Sequence, residues 1–389
     1  MPAALLSDGI CYIENLPLIE DVFVLKEMME TLGAKVDIEN NTMIIDPTNV
    51  NIWKTPSNLV RKMRASYYLI GALLGRFGKA EVAFPGGCDI GTRPMDQHMK
   101  GLRALGANIE LEHGIYICEA EHLHGCEVYM DKVSVGATIN IMLAAAKADG
   151  LTTIVNAARE PHIVDLANFL SLMGAKVKGA GTATIRIQGA KSLHGCRYSI
   201  LPDQIETGTW MAIAAATDGD ITIRGCVPYH MEAVSAKLME MGVSVIEGDD
   251  YLRVIGNGRP RAAHIQTLPY PGFPTDLQQP FTVLLSIADG TSMVVETIFE
   301  TRFRHSDELM RMGAQMQING EIAIITGVDS LSGAEVSATD LRAGAALIVA
   351  GVMADGVTTI NNTRFIDRGY ERIDEKLRSL GADVTRCKA

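Results

Sequence analysis

The 389-residue chain is short of the features that mark membrane, secreted or nucleic-acid-binding proteins. No apolar run approaches the roughly 20 residues that cross a bilayer, so no membrane insertion is expected. The opening Met1-Pro2-Ala3-Ala4-Leu5-Leu6-Ser7-Asp8-Gly9 lacks the basic start and long apolar stretch of a secretory signal. Seven cysteines, an odd number with no Cys-x-x-Cys, argue against a disulfide framework or a zinc ribbon. Together these absences predict a reduced, cytoplasmic protein. Basic charge is also scarce: 35 Lys and Arg against 46 Asp and Glu leave a net charge of −11. That is the wrong sign for a phosphate backbone, so nucleic acid is not an expected partner. An anionic small substrate is still allowed, provided that arginines gather in one place to hold it.

What the sequence does have is repetition. A helical pattern ending in Leu/Met-Gly-Ala/Val recurs at Gly33, Gly106, Gly174, Gly242, Gly313 and Gly381, with spacings of 73, 68, 68, 71 and 68 residues. Asp-Gly precedes a β-rich run at Gly9, Gly150, Gly219, Gly290 and Gly356, with Phe77-Gly78 in that place in the second repeat. Each unit reads as helix, Asp-Gly turn, strand, loop, helix, Gly cap, strand. The helix before the turn is apolar almost all round, as in Ile139-Asn140-Ile141-Met142-Leu143-Ala144-Ala145-Ala146, and belongs inside, with sheets around it. Six units of about 70 residues suit two α/β domains of three units each. The boundary is expected near Ser199-Ile200-Leu201-Pro202, giving domains 1–201 and 202–389.

Candidate chemistry sits in the loops. Phe84 to His98 carries three glycines and two prolines around Cys88 and Arg93, and reads as a shape-changing lid with a thiol and a guanidinium, or as a surface loop with an incidental cysteine. Cys118, Cys196 and Cys226 lie in or beside strands and read as packing residues. Asp131-Lys132-Val133-Ser134-Val135-Gly136 leads into a buried helix and offers donors suited to phosphate, or simply an ordinary helix start. Arg64 begins another helix. Asp276 stands at a helix start, where a carboxylate often only caps amide hydrogens. Arg302, Arg342 and Arg368 each neighbour an acid, an arrangement that is commonly a surface ion pair of low energy.

These segments together closely resemble the UDP-N-acetylglucosamine enolpyruvyl transferase family over essentially the whole chain. The signatures are Pro-Gly-Gly-Cys-x-Ile-Gly-x-Arg-Pro (85–94), Met-Asp-Lys-Val-Ser-Val-Gly-Ala-Thr (130–138), Ala-Ala-Arg-Glu-Pro (157–161), Leu-Pro-Asp-Gln-Ile-Glu-Thr-Gly-Thr (201–209), Phe-Pro-Thr-Asp (273–276) and Asp-Arg-Gly-Tyr-Glu-Arg (367–372). The resemblance implies a two-domain inverse α/β prism, with three buried helices surrounded by sheets in each domain. It implies transfer of the enolpyruvyl group of phosphoenolpyruvate to the 3′-hydroxyl of UDP-N-acetylglucosamine, the committing step of peptidoglycan synthesis and so of wall growth, cell shape and division. No metal or organic cofactor is implied. By the same resemblance Cys88 is the lid cysteine, a general acid and the target of fosfomycin, and Asp276 meets the sugar hydroxyl. Arg93, Arg302, Arg342 and Arg368 surround phosphoenolpyruvate, with Arg368 counted among the catalytic residues. Arg64, Arg93, Pro94, Met95, Asp96, Gln97, Lys132, Val133, Ser134, Val135, Asp276 and Ile298 line the UDP-sugar site, and closure of the two domains is expected to assemble it.

One departure stands out. The family begins with two strands of the second domain and a crossing segment bearing a Lys-Asn pair, whereas this chain starts inside what would be the first buried helix, and its first lysine is Lys26. Either the start has been placed too late or the chain is a short, impaired copy that binds UDP-sugar without turnover; the intact motifs favour the former. The absent strands would leave an unpaired sheet edge in the second domain. Transfer to shikimate 3-phosphate, the same-fold alternative, is disfavoured by the lid cysteine and the UDP-sugar motif.

Overall fold

The recurring Leu/Met-Gly signal marks six helix ends. In the computed structural model, which describes residues 1–84, 86, 91 and 94–387, Gly33, Gly106, Gly174, Gly242, Gly313 and Gly381 all have φ between 93° and 114°. That left-handed conformation closes the last helical turn and would strain any residue with a Cβ. In the third repeat, the helix Pro161–Leu172 and its glycine lead into the strand Lys176–Lys178, which pairs antiparallel with Thr184–Gln188. Thr184–Gln188 in turn lies antiparallel to Leu151–Val155, with Ile185 opposite Ile154 and Ile187 opposite Thr152. On the far side of Leu151–Val155, Glu127–Tyr129 adds a parallel edge. The repeat thus contains two more strands than its sequence pattern distinguishes: the three-residue edge Glu127–Tyr129, too short to show a period of two, and Thr184–Gln188, which follows the strand after the glycine cap.

Two compact units result, one containing Met1 to Phe84 and Pro94 to Leu201, the other Pro202 to Cys387. The first holds sheets of four, four and three strands, the second sheets of three, four and two. Among the described residues, Asp220–Arg224 in the second unit pairs only with Tyr251–Ile255 and forms an open sheet edge. Glu335–Ser337 and Thr359–Asn361 form the two-stranded sheet.

Apolar helices fill the interior of each unit. In the first these are Tyr68–Phe77, Val135–Ala145 and the 3-10 turn Pro2–Leu6, whose Ala3 to Leu6 are buried. Gly71 is required at their crossing: a Cβ there would stand 2.4 Å from the Asn140 carbonyl oxygen, so the two helices meet backbone to backbone. In the second unit Gln204–Ala216, Thr275–Ser286 and Leu341–Met353 pack on one another. Two of the three carry a candidate site residue in the first turn, Asp276 on Thr275–Ser286 and Arg342 on Leu341–Met353. Among the described residues no helix is long and apolar enough to cross a membrane.

Candidate active site

In the second unit Asp276 is not a helix cap. Pro274 occupies the cap position of Thr275–Ser286, and the Asp276 carboxylate instead takes charged donors from two other segments. Its Oδ1 pairs with Arg302 Nη2, and its Oδ2 accepts from Arg342 Nε at 3.1 Å. Neither arginine belongs to a surface pair, because the Arg302 side chain is 2% exposed and that of Arg342 14%, while Asp276 stays open at 37%. Burial works against the Asp276 charge, but Arg342 and Arg302 overcome it and hold its pKa down at about 2. Burial likewise opposes the charge of Arg342, and Tyr370 and Asp276 more than compensate, raising its pKa above the ordinary arginine value.

The backbone supports these side chains. Arg342 is the second residue of Leu341–Met353, whose cap Asp340 accepts from the Arg342 and Ala343 amides. Arg342 Nη1 donates to Tyr370 Oη at 3.2 Å. Arg368, two residues earlier, closes the four-residue helix Arg364–Asp367, so the turn that carries Arg368 also carries the hydroxyl that holds Arg342. Arg302 sits in the turn after the strand Thr291–Val295, and its carbonyl accepts from Gln279 Nε2. Glu296, fully buried at the end of that strand, knits three segments together. It accepts from Thr267 Oγ1, from the Ile298 and Phe299 amides, and from Thr275 Oγ1, the neighbour of Asp276. Burial pushes the Glu296 pKa up despite these donors. Ile298 is therefore fixed through its backbone. Nearby His305 is wholly buried, and burial brings its pKa down to about 4.

The first unit collects a different group. Asp96 and Gln97 open the helix Asp96–Ala104, and Gln97 reaches the loop before Val135–Ala145: its Oε1 accepts from the Asp131 amide and its Nε2 donates to Asp131 Oδ2. Lys100 pairs with Asp131 on the surface. Ser134 does cap Val135–Ala145, accepting from the Ala137 amide at 3.3 Å. Lys132 and Val133 are exposed just before it, Pro94 and Asp96 are exposed, and Met95 is buried. Arg64 lies 5.6 Å from the Tyr67 ring centroid, and Tyr67 meets His98 edge-on at 4.9 Å. Both rings crowd Gly136, where a Cβ would stand 2.6 Å from Tyr67 Oη and 2.8 Å from the His98 ring. Asn140 anchors them from inside: its Oδ1 accepts from the Gly71 amide, and its Nδ2 donates to Tyr67 O and to His98 Nδ1. His98 is therefore neutral with its proton on Nε2. Burial, reinforced by the Arg64 charge, brings its pKa down to about 3.

Arg64, Asp96, Gln97 and Ser134 to Val135 thus gather in the first unit, and Asp276, Arg302 and Arg342 in the second, with Arg368 and Ile298 on adjoining turns. Cys88 and Arg93 lie outside the described residues. Tyr370, Thr209, Glu296, His98, Tyr67 and Asn140 are absent from the expected site, although Tyr370 and Thr209 lie within two of its motifs. No group of His, Cys, Asp and Glu that could hold a metal occurs among the described residues.

Sheets wrapped around buried helices in six repeats define the enolpyruvyl transferase fold. The solved enolpyruvyl transferase NikO of Streptomyces tendae is similar with a TM-score of 0.88 at 26% identity, over 98% of this chain and 91% of that one. An EPSP synthase of Acinetobacter baumannii, at a TM-score of 0.73 and 18% identity over 98% and 93%, shares the fold. The chain belongs to the family of EPSP synthase (3-phosphoshikimate 1-carboxyvinyltransferase), whose model matches residues 1–377. It is thus an enzyme of the enolpyruvyl transferase class. It is 54% identical over 388 residues to UDP-N-acetylglucosamine 1-carboxyvinyltransferase 3 of Caldanaerobacter subterraneus subsp. tengcongensis, covering 100% of this chain and 93% of the relative. It is 55% identical over 390 residues to the UDP-N-acetylglucosamine 1-carboxyvinyltransferase of Clostridium botulinum, covering 99% and 93%.

Proposed function

We propose that this enzyme transfers the enolpyruvyl group of phosphoenolpyruvate to the 3′-hydroxyl of UDP-N-acetylglucosamine, releasing phosphate, in the cytoplasm and at the first committed step of peptidoglycan synthesis. The observation that carries the reading is the carboxylate of Asp276 set between two buried guanidiniums. The names borne by relatives at 54% and 55% identity support the choice of acceptor. In the reaction the sugar oxygen bonds to C2 of phosphoenolpyruvate while C3 gains a proton. The tetrahedral ketal then loses that proton equivalent and expels phosphate, restoring the double bond.

Each step needs a group of a particular kind. Asp276 takes the hydroxyl proton. Clamped by Arg302 and Arg342 it is a feeble base, but a substrate bearing carboxylate and phosphate competes for both guanidiniums and relieves it of their pull. Arg302, Arg342, Arg368 and Arg93 hold that anion, their planar forks matching its oxygens. Cys88 supplies the proton to C3. Arg64, Pro94 to Gln97, Lys132 to Val135 and Ile298 hold the nucleotide sugar, with the Ser134 helix start offering amide donors to its diphosphate.

Phosphate release from phosphoenolpyruvate, measured separately with UDP-N-acetylglucosamine and with shikimate 3-phosphate, tests the reading. Turnover with the first alone is the expected result. Turnover only with the second, or binding of the nucleotide sugar with no phosphate released, would overturn it. Cys88→Ser is expected to abolish labelling by fosfomycin and most turnover, and Cys196→Ser to change neither.

A further inference from the structure

Behind Arg342 runs a chain of hydrogen bonds whose direction is fixed by counting protons. Thr209 Oγ1 lies 2.9 Å from the carbonyl oxygen of Ile205, one turn back along Gln204–Ala216. A carbonyl oxygen only accepts, so the single hydroxyl proton of Thr209 is committed to that bond. Thr209 Oγ1 is also 2.8 Å from Tyr370 Oη, and the proton between them must therefore come from the tyrosine. That leaves the phenolic oxygen with its lone pairs towards Arg342 Nη1, which donates to it at 3.2 Å. The sequence of donors is Arg342, Tyr370, Thr209, and the chain ends on Ile205 O. Every hydroxyl proton is used once.

The chain is also dry. Tyr370 is 1% exposed and Thr209 0%, so water is shut out from both hydroxyls. Thr209 is followed by the buried Trp210, Met211, Ala212 and Ile213, and a polar side chain at that depth has to be satisfied. The Tyr370 ring adds a second restraint, its centroid 5.7 Å from the Arg342 guanidinium carbon. With Asp276 Oδ2 on Nε and Nη2, the guanidinium plane is held from two directions, and one N–H each of Nη1 and Nη2 is left over.

We propose that Tyr370 and Thr209 are positioning residues for phosphoenolpyruvate, fixing the plane of the Arg342 guanidinium so that its open donors already face the anion. The proposal rests on the reading of Arg342 as a phosphoenolpyruvate ligand and is independent of which acceptor is used. An arginine free to rotate must lose that freedom when its ligand arrives, and one locked beforehand does not. Removing the lock weakens binding of the anion more than that of the nucleotide sugar, to which Arg342 is linked only through Asp276.

The test uses the full chain with Tyr370→Phe, Thr209→Val, Thr209→Ser and the Tyr370→Phe/Thr209→Val double variant. The two substrates are varied separately in a phosphate-release assay, and phosphoenolpyruvate binding is measured by calorimetry. Tyr370→Phe is expected to raise the KM for phosphoenolpyruvate about tenfold, the scale of one hydrogen bond. The KM for UDP-N-acetylglucosamine should stay within about twofold, since the lost bond belongs to the other ligand's arginine. Thr209→Ser keeps the hydroxyl and should behave as the unaltered enzyme. Thr209→Val should raise the same KM as Tyr370→Phe, and the double variant should add nothing to either, as members of one chain do. If Thr209→Val leaves the tyrosine proton orphaned and does not fold, the double variant removes both hydroxyls and gives the same reading. A rise in both KM values together, a fall in kcat alone, or normal kinetics in Tyr370→Phe overturns the proposal. Should the unaltered enzyme release no phosphate with UDP-N-acetylglucosamine, the acceptor assignment fails by itself. Calorimetry then decides the positioning role: weaker phosphoenolpyruvate binding by Tyr370→Phe supports it, and equal binding overturns it.

Discussion

In the first unit Asn140 joins three segments by neutral hydrogen bonds, to the Gly71 amide, the Tyr67 carbonyl and the His98 ring. In the second, Asp276 joins Thr275–Ser286 to two other segments by charge, through Arg302 and Arg342. Both residues lie on the apolar helix that their repeat places inside. The contrast shows that one supersecondary plan can be adapted to opposite tasks by a single side chain on its central helix. A buried amide with its donors and acceptor matched holds its neighbours without using charge. An ion cluster left one-third open to solvent has a ligand-shaped alternative, since any anion that suits the arginines competes with the carboxylate.

The largest expected effect breaks the charged half of that contrast. Asp276→Asn preserves shape but removes the base proposed above, and turnover should fall by about 10²- to 10⁴-fold, the range for lost general acid–base catalysis. Phosphoenolpyruvate or inorganic phosphate should bind this variant more tightly in calorimetry, because Arg302 and Arg342 lose their internal competitor. Unchanged anion binding would show that the clamp is irrelevant to the ligand. The neutral half breaks differently. Asn140→Leu removes the side-chain partner of the Gly71 amide and the Tyr67 carbonyl and leaves one His98 nitrogen unpaired, and urea unfolding should show a loss of about 2–4 kcal/mol. A loss near zero would mean that the three segments hold together without the amide.

A third test sharpens the comparison through pH. His98 and His305, one in each unit, have folded pKa values of about 3 and about 4, below the ordinary value near 6.5. The unfolded chain therefore binds more protons in that window, so stability is full above pH 6.5 and declines as pH falls towards the folded values. The slope is at most about 1.4 kcal/mol per pH unit for each histidine. Asp276, depressed to about 2, adds stability above about pH 4 that is lost as pH falls from there to 2. Urea midpoints across pH 4 to 8 check the histidine part: His98→Gln should flatten the decline, and an unaltered slope would assign it elsewhere.

The repeats were legible in the sequence because their punctuation is backbone physics: the six capping glycines need no partner to announce themselves, and all six adopt the left-handed conformation. The inner helices were legible because an all-apolar helix has only one place to go. The environment of the arginines was not. Arg302 beside Glu300, or Arg342 beside Asp340, reads as a local surface pair, yet both reach Asp276, which lies 26 and 66 residues away. Tyr370 and Thr209 are 161 residues apart, and neither carries a charge that would draw notice. Glu296 is a clearer omission. An acid directly after the apolar run Met293-Val294-Val295 will be buried or will terminate the strand, and here it does both while accepting four hydrogen bonds.

The resting state of Asp276 also sets what the enzyme looks like from a distance. Two cations and one carboxylate sum to a single positive charge, in a protein whose overall sign is negative. The carboxylate cancels half of the pull that Arg302 and Arg342 would together exert on sulfate, chloride or phosphorylated metabolites. On the proposed function, an anion reaching Arg302 and Arg342 has to out-compete a carboxylate already in place, and a weak or ill-shaped visitor would be turned away before chemistry starts.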